Sequence, residues 1–188
     1  MPDRFGHFRE SGHFCYSRTA RNSSGRPALI SIRPIEHQDD PRMERIILEV
    51  MGEYGAIGAG FSSSDPEVKA MSQAYPGPDH AYFVVADEAG RILGGAGVAP
   101  LAGGEPGVCE LRKMYLLREG RGRGLGKQLF DACIVFARQA GFRRCYLETL
   151  DTMTTAMTFY RRQGFTDLPV RMGRTGHGGC NRQMIRAL

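Results

Sequence analysis

Apolar and polar positions follow two rhythms along this chain, a period of two that marks strands and a period near 3.6 that marks helices. Leu29 to Ile35 suits a first strand. Asp39, Asp40 and Pro41 then supply start signals for a helix carrying Ile46, Ile47 and Val50. Gly52 to Ser64 is rich in Gly and Ser and reads as a loop. The run Ser64-Asp65-Pro66-Glu67 predicts a second short helix to about Tyr75, stopped by Pro76-Gly77-Pro78. Two apolar runs, Ala81 to Asp87 and Arg91 to Pro100, flank Glu88-Ala89-Gly90 as a hairpin. Beyond the turn Gly103 to Gly107, Val108 to Leu117 reads as a fourth strand. Leu125, Leu129, Ala132, Cys133, Phe136 and Ala137 mark a helix from Leu125 to Ala140, closed by Gly141. Arg144 to Leu150 is a fifth strand, Thr152 to Arg162 a fourth helix ended by Gly164, and further strands lie near Phe165 to Arg171 and Asn181 to Leu188.

The 188 residues are enough for one well-packed domain and short for two. Residues 1–27 hold Arg4, Arg9, Arg18, Arg21 and Arg26 among Ser, Gly and His without apolar periodicity, so a disordered basic tail is expected ahead of a single domain over 28–188. The net charge of +5 suits an anionic partner such as nucleic acid or a phosphorylated cofactor without choosing between them. No apolar run approaches the roughly 18 residues of a membrane span, so no membrane partner is expected. Five cysteines without a CxxC pair argue against a disulfide framework and a thiolate zinc site, and point to a reducing cytoplasm. His177 and Cys180 lack a second pair at ligand spacing, so no metal is expected.

The chemistry concentrates in Gly120-Arg121-Gly122-Arg123-Gly124-Leu125-Gly126-Lys127, a glycine-dense loop with three cations at a helix start. Unpaired amides and the helix dipole attract an anion there, and glycines let the backbone approach it. The plainer alternative is a flexible turn with incidental arginines. A Walker A loop would need glycine at Arg121 and Ser or Thr at Gln128, and a dinucleotide fingerprint would need glycine at Leu125 or Lys127. Both patterns fail.

Arg121, Gly124 and Gly126 do fit Arg-x-x-Gly-x-Gly, placed after the strand segment Lys113-Met114-Tyr115-Leu116 and before an amphipathic helix. Together with Phe159-Tyr160-Arg161-Arg162-Gln163-Gly164-Phe165, this resembles the GNAT acetyltransferases over roughly residues 29–188. The resemblance implies an α+β acyl-CoA N-acyltransferase fold, a mixed central sheet of about six to seven strands flanked by about four helices. It implies acetyl-CoA as co-substrate, with the pyrophosphate cradled by amides of Arg121, Gly122, Arg123, Gly124, Leu125, Gly126 and Lys127. Met114, Tyr115 and Leu116 would pair with the pantetheine as an added strand would. The fourth and fifth strands are expected to splay after a bulge, leaving the acetyl group near Leu147, Glu148 and Thr149. Met153 departs from the family pattern, which often has asparagine three residues before the alanine found here at Ala156.

Aminolysis of a thioester needs a neutral amine, an oxyanion donor and a proton for the leaving thiolate. The resemblance assigns Tyr160 as the acid, with a packed helix aromatic as the alternative. It assigns Glu110, eleven positions before Arg121, as a base acting through a water, with a salt bridge to Arg112 or Lys113 as the alternative and Glu148 as the rival base. The oxyanion donor would be an amide near Leu116. The acceptor, a small-molecule amine or amino acid, would meet the segment from Tyr54 and Phe61 to Asp65 and the loop around His177, with Glu148 and Thr149 opposite. A catalytically idle acyl-CoA sensor and a protein or peptide N-acetyltransferase are the alternatives, and a homodimer is left open. A nucleic-acid-binding module using Arg121, Arg123, Arg143, Arg144, Arg161 and Arg162 is weaker, because no recognised motif and no tryptophan accompany those cations.

Overall fold

The computed structural model describes residues 16–21 and 27–188. Its strands are β1 (Tyr16–Arg21), β2 (Pro27–Pro34), β3 (Ala81–Ala86), β4 (Ile92–Pro100), β5 (Val108–Leu116), β6 (Arg144–Thr149), β7 (Thr166–Leu168) and β8 (Arg182–Ala187). They form one sheet in the order β1-β2-β3-β4-β5-β6-β8-β7. β5 and β6 run parallel and every other neighbouring pair antiparallel, so the expected mixed α+β sheet is present. The sheet has eight strands because Tyr16–Arg21, expected within a disordered tail, pairs with β2. The rest of that expected tail lies outside the described residues, apart from Pro27, which opens β2.

Among the described residues there are three α-helices, α1 (Asp40–Gly52), α2 (Leu125–Gln139) and α3 (Thr154–Arg162). The short helix expected after Ser64 forms instead as a 3₁₀ turn, Pro66–Ala70. Asp65 makes no side-chain cap there, because its carboxylate is drawn to Lys113 and His177.

The strands carry apolar side chains on both faces, and the two helix layers divide them. α1 presents Met43, Ile46, Ile47, Val50 and Met51, one stripe at helical spacing, against Tyr82, Val84 and Ala86. α2 packs Leu125, Leu129, Phe130, Cys133 and Ala137 against Phe83, Val85, Ala96 and Val98 on the other face. Each such side chain contributes about 1.5–3 kcal/mol of burial before entropy is subtracted. α3 joins the second layer through the rings of Phe130, Phe159, Tyr160 and Phe165, whose neighbouring centroids lie 5.6–6.1 Å apart.

Two irregularities open this sheet. Pairing of β5 with β6 ends at Glu110 opposite Tyr146, although β5 continues to Leu116 and β6 to Thr149. Between β4 and β5, Gly95 faces Tyr115 but Gly97 faces Arg112, so β5 holds one extra residue at Lys113-Met114. Lys113 takes φ +47°, a left-handed conformation that costs a non-glycine residue roughly 1–2 kcal/mol. Tyr82 Oη offsets part of that cost by donating to the Lys113 carbonyl at 2.8 Å.

The tyrosine reaches across because β4 reads Gly94-Gly95-Ala96-Gly97. A Cβ on Gly97 would come within 2.5 Å of the Tyr82 ring and 2.8 Å of the Tyr75 ring. Gly97→Val is therefore expected to destabilise the fold by about 1–3 kcal/mol through overpacking. In urea this reads as a lower unfolding midpoint at unchanged slope, and an unchanged midpoint would remove the steric account of these glycines.

Candidate active site

The parting of β5 and β6 leaves a cleft of about 610 Å³, part of it open to solvent. Glu110, Met114, Tyr115, Glu148, Thr149, Tyr160 and His177 all line it, bringing together residues predicted as acid, base, cofactor wall and acceptor wall. Tyr54 and Phe61 do not line it. Both pack against the α1 core, and Phe61 lies against Gly179 as a support for the His177 loop. That loop is tied to the segment before Asp65 by a hydrogen bond from the Gly179 amide to the Gly60 carbonyl at 2.9 Å.

Glu110 sits where strand pairing ends, with its side chain 3% exposed. Burial raises its pKa above the usual carboxylate range, and the Arg112 charge opposes the shift only in part. Arg112 Nε stands 3.2 Å from Glu110 Oε2, but the two atoms are not aligned and neither has a hydrogen-bond partner. The predicted salt bridge and the predicted base are thus the same residue in the same place. Glu148, the rival base, is held by Tyr146 Oη at 2.7 Å and Thr175 Oγ1 at 3.0 Å, with Arg171 Nε at 3.2 Å.

Tyr160 lines the cleft from α3 with its ring in the core, and among the described residues no hydrogen bond forms at its hydroxyl. Burial raises its pKa well above that of a free phenol, so it stays protonated at working pH. The sequence reading missed the ion cluster that closes the acceptor side. Lys113 Nζ, with its side chain fully buried, donates to Asp65 Oδ2 at 2.6 Å and to Glu67 Oε1 at 2.5 Å. Asp65 also meets His177 Nε2 at 2.9 Å. Burial alone would raise the Asp65 pKa, but the hydrogen bonds from His177 and Lys113 outweigh it and lower it. The available signal was a pair of adjacent cations, Arg112 and Lys113, in a strand whose only other charged residue is Glu110.

Beyond Met114 and Tyr115, which line the cleft, the chain turns through a 3₁₀ segment, Arg118–Gly120, into α2, whose Gly126 lies beside Met114. Gly122 and Gly124 have φ of +71° and +76°, positions where an L side chain is strained. Among the described residues the amides of Gly122, Gly124, Leu125, Gly126 and Lys127 have no hydrogen-bond acceptor, so the helix start presents a fringe of free donors. The cations do other work. Arg121 donates to the Leu116 carbonyl at 2.9 Å and forks onto Glu53 at 2.8 and 3.1 Å, tying the loop to the end of α1. The Glu53 pKa is lowered by that hydrogen bond. Arg123 donates to the Glu119 carbonyl, and Lys127 pairs with Asp131 on the exposed face of α2.

Among the described residues no three His, Cys, Asp or Glu side chains cluster as metal ligands. No described helix is long and apolar enough to cross a membrane.

The model of the acetyltransferase (GNAT) family matches residues 43–165. The chain is 42% identical over 158 residues to the uncharacterized N-acetyltransferase YjgM of Escherichia coli (strain K12), covering 84% of this chain and 94% of that one. Among solved structures, a GNAT-family acetyltransferase from Staphylococcus aureus Mu50 superposes with a TM-score of 0.75 at 20% identity, over 85% of this chain and 99% of that one. The PaiA N-acetyltransferase of Thermoplasma acidophilum in complex with coenzyme A gives 0.64 at 17% identity, over 85% and 99%. Those two likenesses speak to the fold, whereas the family match and the similarity to YjgM reach further. By that measure the chain belongs to the GNAT family of acetyltransferases.

Proposed function

We propose that this protein transfers the acetyl group of acetyl-CoA to a primary amine of a small molecule, by direct attack in a ternary complex. The observation that carries the reading is the wedge between β5 and β6, with Glu110 at its apex, Tyr160 on its wall and free amides of the α2 start at its far end. The unpaired edge of β5 at Met114, Tyr115 and Leu116 supports pairing with the pantetheine amides. The amide fringe from Gly122 to Lys127 suits the pyrophosphate, while the Arg121 guanidinium shapes the loop from behind.

In this reading Glu110, made more basic by burial, takes the amine proton through a water, and a main-chain amide near Leu116 receives the developing oxyanion. Tyr160 gives its proton to the departing thiolate. Cys180 also lines the cleft, but burial pushes its thiol up to about 11, so only about one molecule in ten thousand would be thiolate at neutral pH. That supports direct transfer over an acyl-cysteine intermediate. The buried free cysteines Cys109, Cys133, Cys145 and Cys180 suit a reducing cytoplasm.

The test is a panel of primary amines with acetyl-CoA, reading free thiol. Release with at least one amine, above the rate of acetyl-CoA hydrolysis, is expected; its absence across the panel, with acetyl-CoA bound, favours a regulatory acyl-CoA sensor. Acetyl-CoA should also raise the melting temperature, since it binds only the native state. Gly126 faces Met114 and Leu116, where a Cβ would sit 3.6 and 3.4 Å away. Gly126→Leu is expected to fill this gap and abolish the acetyl-CoA shift, and a folded variant that still shows the full shift would relocate the pyrophosphate.

A further inference from the structure

Glu148 is the most constrained carboxylate in the cleft. Its side chain is 1% exposed, and all of its donors converge on one oxygen: Tyr146 Oη at 2.7 Å, Thr175 Oγ1 at 3.0 Å and Arg171 Nε at 3.2 Å, all to Oε1. The other oxygen, Oε2, is buried and has no hydrogen-bond partner. A carboxylate oxygen in that state is destabilising until a donor reaches it. Three contacts on Oε1 therefore fix the group so that Oε2 remains available to the cleft it lines.

Glu110 Oε2 is in the same condition. Glu110 stands opposite Tyr146 in the strand register and Glu148 follows Tyr146 by two, so both carboxylates rise from one face of the sheet where the strands part. Asp65, Glu67, Glu110 and Glu148 face Arg112, Lys113 and Arg171, four carboxylates to three permanent cations, with His177 beside Asp65. Lys113 and Arg171 are engaged by hydrogen bonds or ion pairs, and Arg112, whose Nε makes no hydrogen bond, has the Glu110 carboxylate 3.2 Å away, so an incoming anion would meet that carboxylate beside the one cation with an unsatisfied buried donor.

We propose that the acceptor is a cationic amine with no carboxylate beside its nitrogen, and that Glu148 selects it by receiving one of its N–H groups on Oε2. This rests on the cleft being the site of acetyl transfer. A carboxylate next to the amine would be driven against Glu110 and Glu148, and the repulsion in so buried a site is little screened. Amines formed by decarboxylation of amino acids have the favoured chemistry, and free amino acids have the disfavoured one.

The test uses the full chain saturated with coenzyme A, which carries no acetyl group and so separates binding from turnover. Calorimetric titration would compare 1,5-diaminopentane with lysine and tyramine with tyrosine. At least one of the amines is expected to bind tenfold or more tightly than its carboxylated counterpart. In Glu148→Gln the amide carbonyl can keep the three donors, which turns the NH₂ toward the cleft and replaces an acceptor by a donor. Its affinity for the amine should fall tenfold or more at a retained coenzyme A affinity. Thr175→Val removes one of the Oε1 donors and should weaken amine binding by a smaller factor; it carries the test if the glutamine variant fails to fold. Equal or tighter binding of the amino acids, no binding of either amine, or an unchanged amine affinity in a folded Glu148→Gln protein would overturn the proposal. Failure of the acetyl-transfer reading shows separately, as the absence of coenzyme A binding in the first titration or of thiol release from acetyl-CoA with any amine of the panel.

Discussion

Glu110→Gln is expected to cut turnover at pH 7 by roughly a hundredfold or more and to leave the protein at least as stable as before. A primary amine has a pKa near 10, so about one molecule in a thousand is free base at neutral pH, and a nearby carboxylate removes much of that handicap. Glutamine keeps the shape and cannot accept the proton. Activity of the variant should then climb about tenfold per pH unit toward the amine pKa, following the free amine alone. The stability expectation comes from the direction of the Glu110 shift. Its folded pKa lies above its unfolded value, so between the two the native state holds the extra proton and stability falls as pH rises through that window. Above the folded pKa the buried charge is a constant cost, which glutamine removes, and this offsets the loss of the misaligned contact with Arg112. Melting temperature and rate measured together from about pH 6.5 to 9.5 decide the matter, since one pH unit is tenfold in free amine. A parallel, pH-independent fall in both would assign Glu110 to structure and move the search for the base to Glu148.

Tyr160→Phe is expected to lower turnover by roughly ten- to a thousandfold with acetyl-CoA affinity close to that of the parent. The hydroxyl makes no hydrogen bond among the described residues, so its removal orphans no partner. The ring keeps its contacts with Phe159 and Phe165, centroids 5.6 and 5.9 Å away. Stability should therefore hardly move. Single-turnover measurement is the appropriate readout, because slow product release would mask a chemical step that has become slower. An unchanged single-turnover rate would falsify the assignment of Tyr160 as the acid.

The elements of this fold were legible wherever local pattern and tertiary packing agree. The α1 and α2 stripes announce themselves by spacing, and Gly141 and Gly164, which take φ of +84° and +86°, were readable as helix ends. β1 was not, since its segment shows no alternation of its own and is paired by β2. Asp65 misled for a related reason. Before a proline it reads as a cap, whereas a buried lysine 48 residues along the chain competes for the same carboxylate. Motif spacing pointed to the loop proposed to hold the cofactor, and the resemblance to Glu110 and Tyr160 as the proposed base and acid. The bulge at Lys113 has no local signature, because left-handed lysine is stabilised by Tyr82 and by Asp65 and Glu67, from two other segments. Tyr54 and Phe61, expected at the acceptor, do not line the cleft and pack with the α1 core instead.

Lys113 also restricts how this protein can acquire a new substrate. Its backbone opens the cleft and its ammonium fastens the Asp65–Glu67 segment, whose Asp65 in turn meets His177, so the opening and that side of the cleft cannot be altered separately. Replacing Asp65 or Glu67 alone would leave the buried lysine a single carboxylate, and replacing both would strand it at a cost of roughly 3–5 kcal/mol, a large share of what a domain of this size has to spare. Drift in specificity is therefore channelled to wall positions that hold no charge, Met51, Met153 and Cys180, where a change of volume is tolerated more readily than a change of ion pairing. A library confined to those three positions should yield more folded variants with altered amine preference than one of equal size built on Ser62 to Glu67.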